Sequence, residues 1–180
     1  MRLIGGLAML CAVLAGWAYL GFMLPFRTAS AGRDMLAVRI RGYEASDVLD
    51  MLQFLRAHPD AAVVQHEFYT GPSLLLPAVL TALLVLLLKQ SQPGGVFFGR
   101  AIPAAVIAAL FFLPVLYGLA DYGETIIGML VFSPATPTDR TIAFAANALP
   151  ILVRLKFVAL VVTIILLVRF AVLRRRHGQD

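Results

Sequence analysis

The sequence predicts an all-α membrane protein: a four-helix transmembrane bundle with a small, mainly helical extracytoplasmic cap, in which residues 1–180 form a single membrane domain. Hydrophobic residues make up 61% of the 180 residues and the mean hydropathy is +0.88, whereas soluble domains are about 45–50% apolar. Four apolar runs approach the length of about 20 residues that spans a hydrocarbon core. Basic residues flank these runs on one predicted side, as the positive-inside rule describes.

The first predicted span covers residues 3–24. Arg2 precedes it, and Trp17 and Phe22 lie near its far end, as aromatic residues do at a membrane interface. An alternative is a cleaved signal peptide, because Ala29-Ser30-Ala31 has the small-x-small form of a cleavage site. The apolar run is longer than the usual signal core of about 7–15 residues, so the sequence favours an uncleaved helix.

An extracytoplasmic cap is predicted over residues 27–67. Its first part, Met35–Tyr43, alternates loosely between apolar and basic residues, which predicts a short strand or an extended piece. Ser46 is a favourable N-cap for the helix that follows. Acidic residues occupy the first turn of that helix, where the helix dipole favours them. Pro59 has the right position to start a further helix. The cap is too short to form a substantial domain of its own.

Three further spans are predicted at residues 68–88, 101–120 and 157–173. An outer loop is predicted between the last two of them, at residues 121–156. Pro72 and Pro77 fall in the first half of the second span. Prolines are tolerated in membrane helices where neighbouring groups satisfy the freed carbonyls. Both prolines are therefore expected to kink this helix rather than to end it.

Basic residues predict the orientation of the bundle. With four spans, one side of the membrane holds Arg2, Lys89, Arg100 and Arg174–Arg176. Asp180 is the sole acid on that side, so the positive-inside rule places both termini in the cytoplasm. The expected location is a bacterial inner membrane. Because topology accounts for the net charge of +5, no nucleic-acid partner is expected.

The sequence lacks the recognisable patterns of a catalytic or cofactor site. Cys11 is the single cysteine, which excludes an internal disulfide and a CxxC site. His58, Asp60 and His66 do not follow a known metal-ligand spacing, and no serine lies in a G-x-S-x-G context. We therefore expect no metal, no cofactor and no catalytic residue, so the sequence favours a non-enzymatic protein without deciding the question.

Charged residues near the last two predicted spans form the main candidate site. Asp121 and Glu124 are three residues apart and so lie on one face of a helix. Arg154 and Lys156 precede the fourth span on the same side of the membrane. Ionisable groups near lipid tend to pair or to face a cavity, so both a structural ion-pair clasp and a polar binding site fit the pattern. The candidate set is completed by two neighbours: Tyr122 and Glu67.

Three short pieces of the chain together resemble an uncharacterised family of small four-span bacterial integral membrane proteins. The pieces are Arg41-Gly42-Tyr43, the segment Asp121-Tyr122-Gly123-Glu124, and Pro134 followed by Lys156. The family has an Asp-x-x-Glu-Asn motif after its third span, and Thr125 stands here where that motif has Asn. The resemblance implies the four-span topology and the polar cluster, and it implies no known activity.

These observations predict an integral inner-membrane protein of unassigned molecular activity. The leading expectation is a non-enzymatic binding or accessory protein that acts through its cap and its acid–base cluster. Membrane lipid is the expected partner, with a protein partner or a homo-oligomer as alternatives. A small proton-coupled or ion-coupled transporter is a second expectation, although carriers usually place ionisable groups near the membrane midplane. The third is a membrane enzyme that acts on lipid.

Overall fold

A computed structural model of the protein describes residues 2–39, 42–91, 96–97, 100–101, 103–133 and 136–177. Across these residues the chain is almost entirely helical, which confirms the predicted all-α class. Within them, four helical stretches are long and apolar enough to cross a membrane: Arg2–Ala29, Pro59–Ser91, Ala105–Val131 and Asp139–Val172. By the length and composition of its helices the chain is a multi-pass membrane protein built as a four-helix bundle.

The first span is one helical stretch in three segments: α1 (Arg2–Ala18), a π-helical turn (Tyr19–Met23) and α2 (Leu24–Ala29). Pro25 is the second residue of α2. In a regular α-helix the ring of Pro25 would collide with the carbonyl of Gly21, four residues earlier. The wider π turn relieves this collision, so the helix continues past the proline.

The cap begins with a 3₁₀ helix, Leu36–Val38, where the sequence predicts a strand. Met35 and Leu36 are adjacent and both buried, so the alternation of apolar and basic residues does not correspond to two faces of a strand. The strand prediction is wrong for these residues. Residues 40 and 41 of the same segment, including the Arg41 of the predicted resemblance, lie outside the described residues.

Two helices complete the cap, α3 (Ala45–Ala57) and α4 (Pro59–Thr70). The N-cap of α3 is Glu44 rather than the predicted Ser46. The Glu44 side chain accepts from the backbone of Asp47, and the Glu44 backbone N–H donates to Asp47 Oδ2 over 2.8 Å. This reciprocal pair satisfies two backbone donors at once. Pro59 is the first residue of α4, as the sequence predicts.

The second span consists of α4 and α5 (Pro72–Ser91), separated only by Gly71. Pro72 marks a break in the helix, because its ring is incompatible with the carbonyl of Phe68 in a continuing α-helix. The prediction that Pro72 would only kink the helix is therefore wrong. Pro77 lies inside α5, as predicted.

A two-residue antiparallel hairpin follows, in which β1 (Val96–Phe97) pairs with β2 (Arg100–Ala101). After it, α6 (Ala104–Val131) and α7 (Asp139–His177) are 28 and 39 residues long. Each helix interior contains a proline, Pro114 in α6 and Pro150 in α7.

Most of the predicted outer loop over residues 121–156 is helical. Residues 121–131 extend α6 and residues 139–156 begin α7, so both helices continue into the predicted outer segment. The charged residues of this segment predict that it lies in water, because a lone ionisable group in lipid is costly. Here the charged groups meet across the two helices, where Lys156 of α7 contacts Asp121 and Glu124 of α6. Pro134, between them, lies outside the described residues.

The helices pack in a defined order around the site. α6 packs along α7, α5 packs against both, and α1 packs chiefly against α5. A large buried cluster, including Phe26, Tyr69 and Leu149, joins the cap to the nearby parts of α6 and α7. A smaller cluster of Leu84, Tyr117 and Ala159 lies between α5, α6 and α7. Along α6 and α7 the predicted acids and Lys156 fall between these two clusters.

Two glycines on α6 permit close approach of neighbouring side chains. A Cβ at Gly118 would lie 2.5 Å from Thr81 Oγ1, and a Cβ at Gly128 would lie 2.5 Å from Tyr69 Cε1. Small residues have this role at interfaces of membrane helices, where van der Waals packing stabilises association. Gly118 thus brings α5 close to α6, and Gly128 seats the Tyr69 ring of α4 on α6.

Candidate functional site

Lys156 of α7 lies at the centre of a polar cluster. Its Nζ is 2.9 Å from Asp121 Oδ1 and is in direct contact with Glu124 Oε2, and both acids belong to α6. It also donates to the backbone carbonyl of Ala37 in the cap over 3.3 Å. One ammonium group therefore joins α6, α7 and the 3₁₀ helix of the cap.

Helical spacing positions the other partners of this cluster. Asp121 and Glu124 are three residues apart and share the face of α6 toward α7. Tyr117 is one turn before Asp121 and donates its hydroxyl hydrogen to Asp121 Oδ2 over 3.0 Å. Both oxygens of the Asp121 carboxylate are consequently hydrogen-bonded, one to Lys156 and one to Tyr117.

The cluster is largely shielded from solvent. Side-chain exposure is 1% for Glu124, 8% for Lys156 and 17% for Asp121. Two carboxylates and one ammonium give the cluster a formal charge of −1. Both oxygens of the Glu124 carboxylate are buried without a hydrogen-bond partner among the described residues, although Oε2 is in direct ion-pair contact with Lys156 Nζ and Oε1 has no such contact. The cluster thus retains an unmatched acceptor in a place where desolvation makes such an acceptor costly.

Tyr43 brings a further buried hydroxyl into the region. The Tyr43 side chain is buried, and its hydroxyl oxygen likewise has no hydrogen-bond partner among the described residues. Burial, reinforced by the negative charge of Glu124 and opposed by Arg39, raises the pKa of Tyr43 above its ordinary value. Tyr43 therefore remains a neutral phenol and keeps its hydrogen.

A cavity of about 280 Å³ adjoins the cluster and is partly open to the surface. Asp121, Glu124 and Lys156 contribute to its wall together with Tyr117 and Thr125. The rest of the lining is mainly apolar and comes from α1, the π turn, the cap and α4–α7: Ala18, Met23, Val38, Phe68, Leu76, Phe157 and Leu160 among others. The cavity thus combines apolar walls with one charged region.

The cluster is deep within the helices that form it. Asp121 lies about 25 Å along α6 from Ala104, and Lys156 lies about 25 Å along α7 from Asp139, at the helical rise of 1.5 Å per residue. Thr125 and Tyr122 fix this level of α6 to the start of α5. Thr125 Oγ1 donates to the Ser73 carbonyl over 3.4 Å, and the Tyr122 hydroxyl donates to the Leu74 carbonyl over 2.8 Å.

Three of the six predicted site residues come together, and three do not. Asp121, Glu124 and Lys156 form the cluster. Arg154 is exposed and lies beside Gly42, and the ion pairs within the described part of the chain do not include it. Residues two apart on a helix differ by about 200° in direction, so Arg154 and Lys156 cannot share a face. Tyr122 binds the Leu74 carbonyl instead, and Glu67 is exposed on α4.

Sequence reasoning missed three contributors to the site. The one-turn spacing of Tyr117 and Asp121 is a signal that helical periodicity offers, since residues at i and i+4 are neighbours. The Ala37 carbonyl has no such signal, because any residue type presents a carbonyl. Tyr43 reaches the region only through the fold of the cap, and nothing in its local sequence indicates that position.

Comparison of the chain with known protein families, with characterised proteins and with experimentally solved structures finds no match. The resemblance drawn from the three short pieces therefore stays a prediction. What the protein does must be argued from the cluster and the cavity themselves.

Proposed function

We propose that the protein is a non-enzymatic membrane protein that binds one amphiphilic, lipid-like ligand in this cavity. The observation that carries the proposal is a buried charged cluster on the wall of a cavity that is otherwise mainly apolar. Ligand pockets typically have apolar walls with a few placed polar groups that fix orientation. A membrane lipid has the matching character, because it joins a polar head to an apolar body.

The size of the cavity sets how much of a lipid it holds. A volume of about 280 Å³ is at the lower end of typical ligand sites, which are about 300–1,000 Å³. The cavity therefore takes a head group and the adjoining part of the apolar body, and the remaining chain extends through the open side. The polar head faces Asp121, Glu124 and Lys156 in this arrangement.

The proposed setting is a bacterial inner membrane with both termini in the cytoplasm and the cap outside. The asymmetric placement of bases supports this orientation. A membrane core is about 30 Å thick. Counted from the base-rich ends of the helices, that thickness brings its outer boundary near the level of Asp121 and Lys156, where lipid head groups reside.

Lipid retention by matched tryptophan variants tests this proposal. Leu76 lines the cavity, whereas its neighbour Leu75 is half-exposed on α5 and does not line it. Leu76→Trp fills part of the cavity and is expected to lower the lipid that remains bound after delipidation, as measured by native mass spectrometry. Leu75→Trp is expected to retain lipid like the wild type. Equal retention by all three proteins would show that the cavity is not the binding site.

A proton-coupled carrier is the second candidate, and the buried Glu124 carboxylate favours it. Glu124 has an unmatched oxygen beside two other ionisable groups inside a helical pair, and such groups mark proton relays in transporters. Reconstituted liposomes with an internal pH dye test this candidate. Proton uptake that Glu124→Gln abolishes would support a carrier, and a flat dye signal under an imposed pH gradient would count against it.

A further inference from the structure

We infer that the head group held at the cluster is a primary ammonium that donates a hydrogen bond to Glu124. The inference rests on the proposed lipid binding and names the chemical class of the ligand. It depends on which hydrogen-bond donors and acceptors of the cluster already have partners and which acceptor has none.

The basic group of the cluster is already engaged by two hydrogen bonds and one ion-pair contact. An ammonium has three N–H donors. Lys156 faces three acceptors with them: Asp121 Oδ1, Glu124 Oε2 and the carbonyl of Ala37. The hydroxyl hydrogen of Tyr117 is engaged by Asp121 Oδ2. A phosphate or carboxylate that approached Lys156 would have to displace one of these bonds and would add negative charge to a cluster that already has an excess of it.

The acid side of the cluster retains an open acceptor. Glu124 lines the cavity, and its Oε1 is buried and has no hydrogen-bond partner among the described residues. A buried acceptor without a hydrogen-bond partner is destabilising, and more so when it is charged. A ligand N–H placed at this oxygen removes that destabilisation. If the donor also carries a positive charge, the formal charge of −1 becomes zero.

A primary ammonium supplies both an N–H donor and a positive charge. Close analogues supply only one of the two. A hydroxyl group can donate to Glu124 but leaves the negative charge unbalanced. The quaternary ammonium of a choline head group balances the charge but has no N–H donor. The site is therefore expected to prefer ethanolamine over choline and glycerol head groups on otherwise identical lipids.

Competition among lipids with the same acyl chains tests the preference. The purified protein is offered phosphatidylethanolamine, phosphatidylcholine and phosphatidylglycerol in equal amounts, and the bound species are counted by native mass spectrometry. We expect phosphatidylethanolamine to be favoured about tenfold, which corresponds to about 1.4 kcal/mol, since its head group alone supplies a charged N–H donor. Equal binding of the three lipids, or a preference for phosphatidylglycerol, would overturn the inference.

A pair of matched variants assigns the preference to Glu124. Glu124→Gln is expected to lose the preference for ethanolamine among the lipids that it still binds. Glu67→Gln removes the same charge from an exposed position on α4 and is expected to leave the preference intact. An unchanged preference in Glu124→Gln would contradict the inference, because another group would then recognise the ammonium.

Binding of a series of methylated head groups to the wild type tests the inference even if Glu124→Gln does not fold. Ethanolamine, monomethylethanolamine, dimethylethanolamine and choline head groups keep the positive charge while losing N–H donors in turn. We expect binding to fall along this series, with the largest loss at choline, and a flat series would overturn the inference. Competition of dodecylamine with phosphatidylethanolamine distinguishes a free amphiphilic amine from a lipid head group as the source of the ammonium.

The two proposals fail in different ways. If Leu76→Trp retains as much lipid as Leu75→Trp, the cavity binds no lipid and the proposed function fails. If Leu76→Trp loses lipid but the wild type binds all the head groups equally well, the proposed lipid binding stands. Only the assignment of an ammonium head group then fails.

Discussion

At the residue scale, Lys156 is more than a partner for one acid. Its ammonium contacts two carboxylates of α6 and one carbonyl of the cap. A buried charge of this kind persists only when its partners compensate for lost hydration. Arg154, two residues earlier, is exposed. The two bases have similar chemistry, and the direction of each side chain on α7 separates their roles.

Neutralising Lys156 tests this difference. Lys156→Met leaves two acids close together without their base, and we expect it to lower the free energy of unfolding by about 3–5 kcal/mol, the usual cost of breaking a buried pair. Arg154→Met removes the same charge from an exposed site and is expected to change stability little. Denaturant unfolding of the detergent-solubilised protein measures both. Equal effects of the two variants would contradict a buried role for Lys156.

Exchanging the charges separates stabilisation from recognition. Glu124→Lys and Lys156→Glu are each expected to destabilise the protein, whereas the double variant restores an ion pair and recovers part of the stability. Because the acceptor then lies on α7 instead of α6, the double variant is expected to lose the ethanolamine preference. A double variant that regains both stability and lipid preference would indicate that the cluster is only a clasp between α6 and α7.

At the element scale, close packing of α6 accounts for the position of α4. The Tyr69 ring is almost fully buried, stacks on Phe132 with centroids 5.9 Å apart and meets Phe68 edge-on. It rests where Gly128 has no side chain. The sequence predicted that these segments would be helices, but the periodicity of one helix does not indicate which neighbour fills the space over a glycine.

A pair of glycine substitutions tests this packing. In Gly128→Ala the new Cβ would lie 2.5 Å from Tyr69 Cε1 and 2.6 Å from Cζ, and a rigid buried ring cannot yield easily. We expect a loss of about 1–3 kcal/mol, as for other overpacked sites. Gly16→Ala in α1 meets nothing within 4 Å and is expected to gain about 0.5–1 kcal/mol from helix propensity. Unfolding midpoints that move in the same direction would count against this account.

At the scale of the whole molecule, the four spans and the cap require a definite topology. The predicted orientation places the cap outside and the base-rich ends of the spans in the cytoplasm. Arg33 lies in the exposed part of the cap, between α2 and the 3₁₀ helix. Gln92 and Gly178 follow the second and the fourth span and lie outside the described residues.

Cysteine labelling in intact cells checks this orientation. Cys11 is first replaced by serine, which leaves a chain without cysteine. Arg33→Cys is expected to react with a membrane-impermeant maleimide. Gln92→Cys and Gly178→Cys are expected to react only after the membrane is permeabilised. Labelling of Gln92→Cys from outside intact cells would contradict the proposed topology.

The sequence by itself determined the class of the protein and the number of its spans. Both depend on the amount and the grouping of apolar residues, and a membrane core requires long apolar helices whatever their packing. It also marked Asp121, Glu124 and Lys156, since charges next to apolar runs are costly enough to need a reason. It left open how far α6 and α7 extend beyond residues 121 and 156, because hydropathy cannot distinguish a charge in water from a charge paired with another helix.

Only the tertiary structure decided how these residues work together. It selected Lys156 over Arg154, since the contact depends on how α7 is rotated toward α6. It brought the Ala37 carbonyl to the ammonium of Lys156. Every residue type has such a carbonyl acceptor, so no sequence pattern indicates this contact. It left Glu124 Oε1 without a partner beside an apolar cavity. Burial and hydrogen-bond pairing depend on all the neighbours of a group at once, and those neighbours are set by packing between segments far apart in the chain.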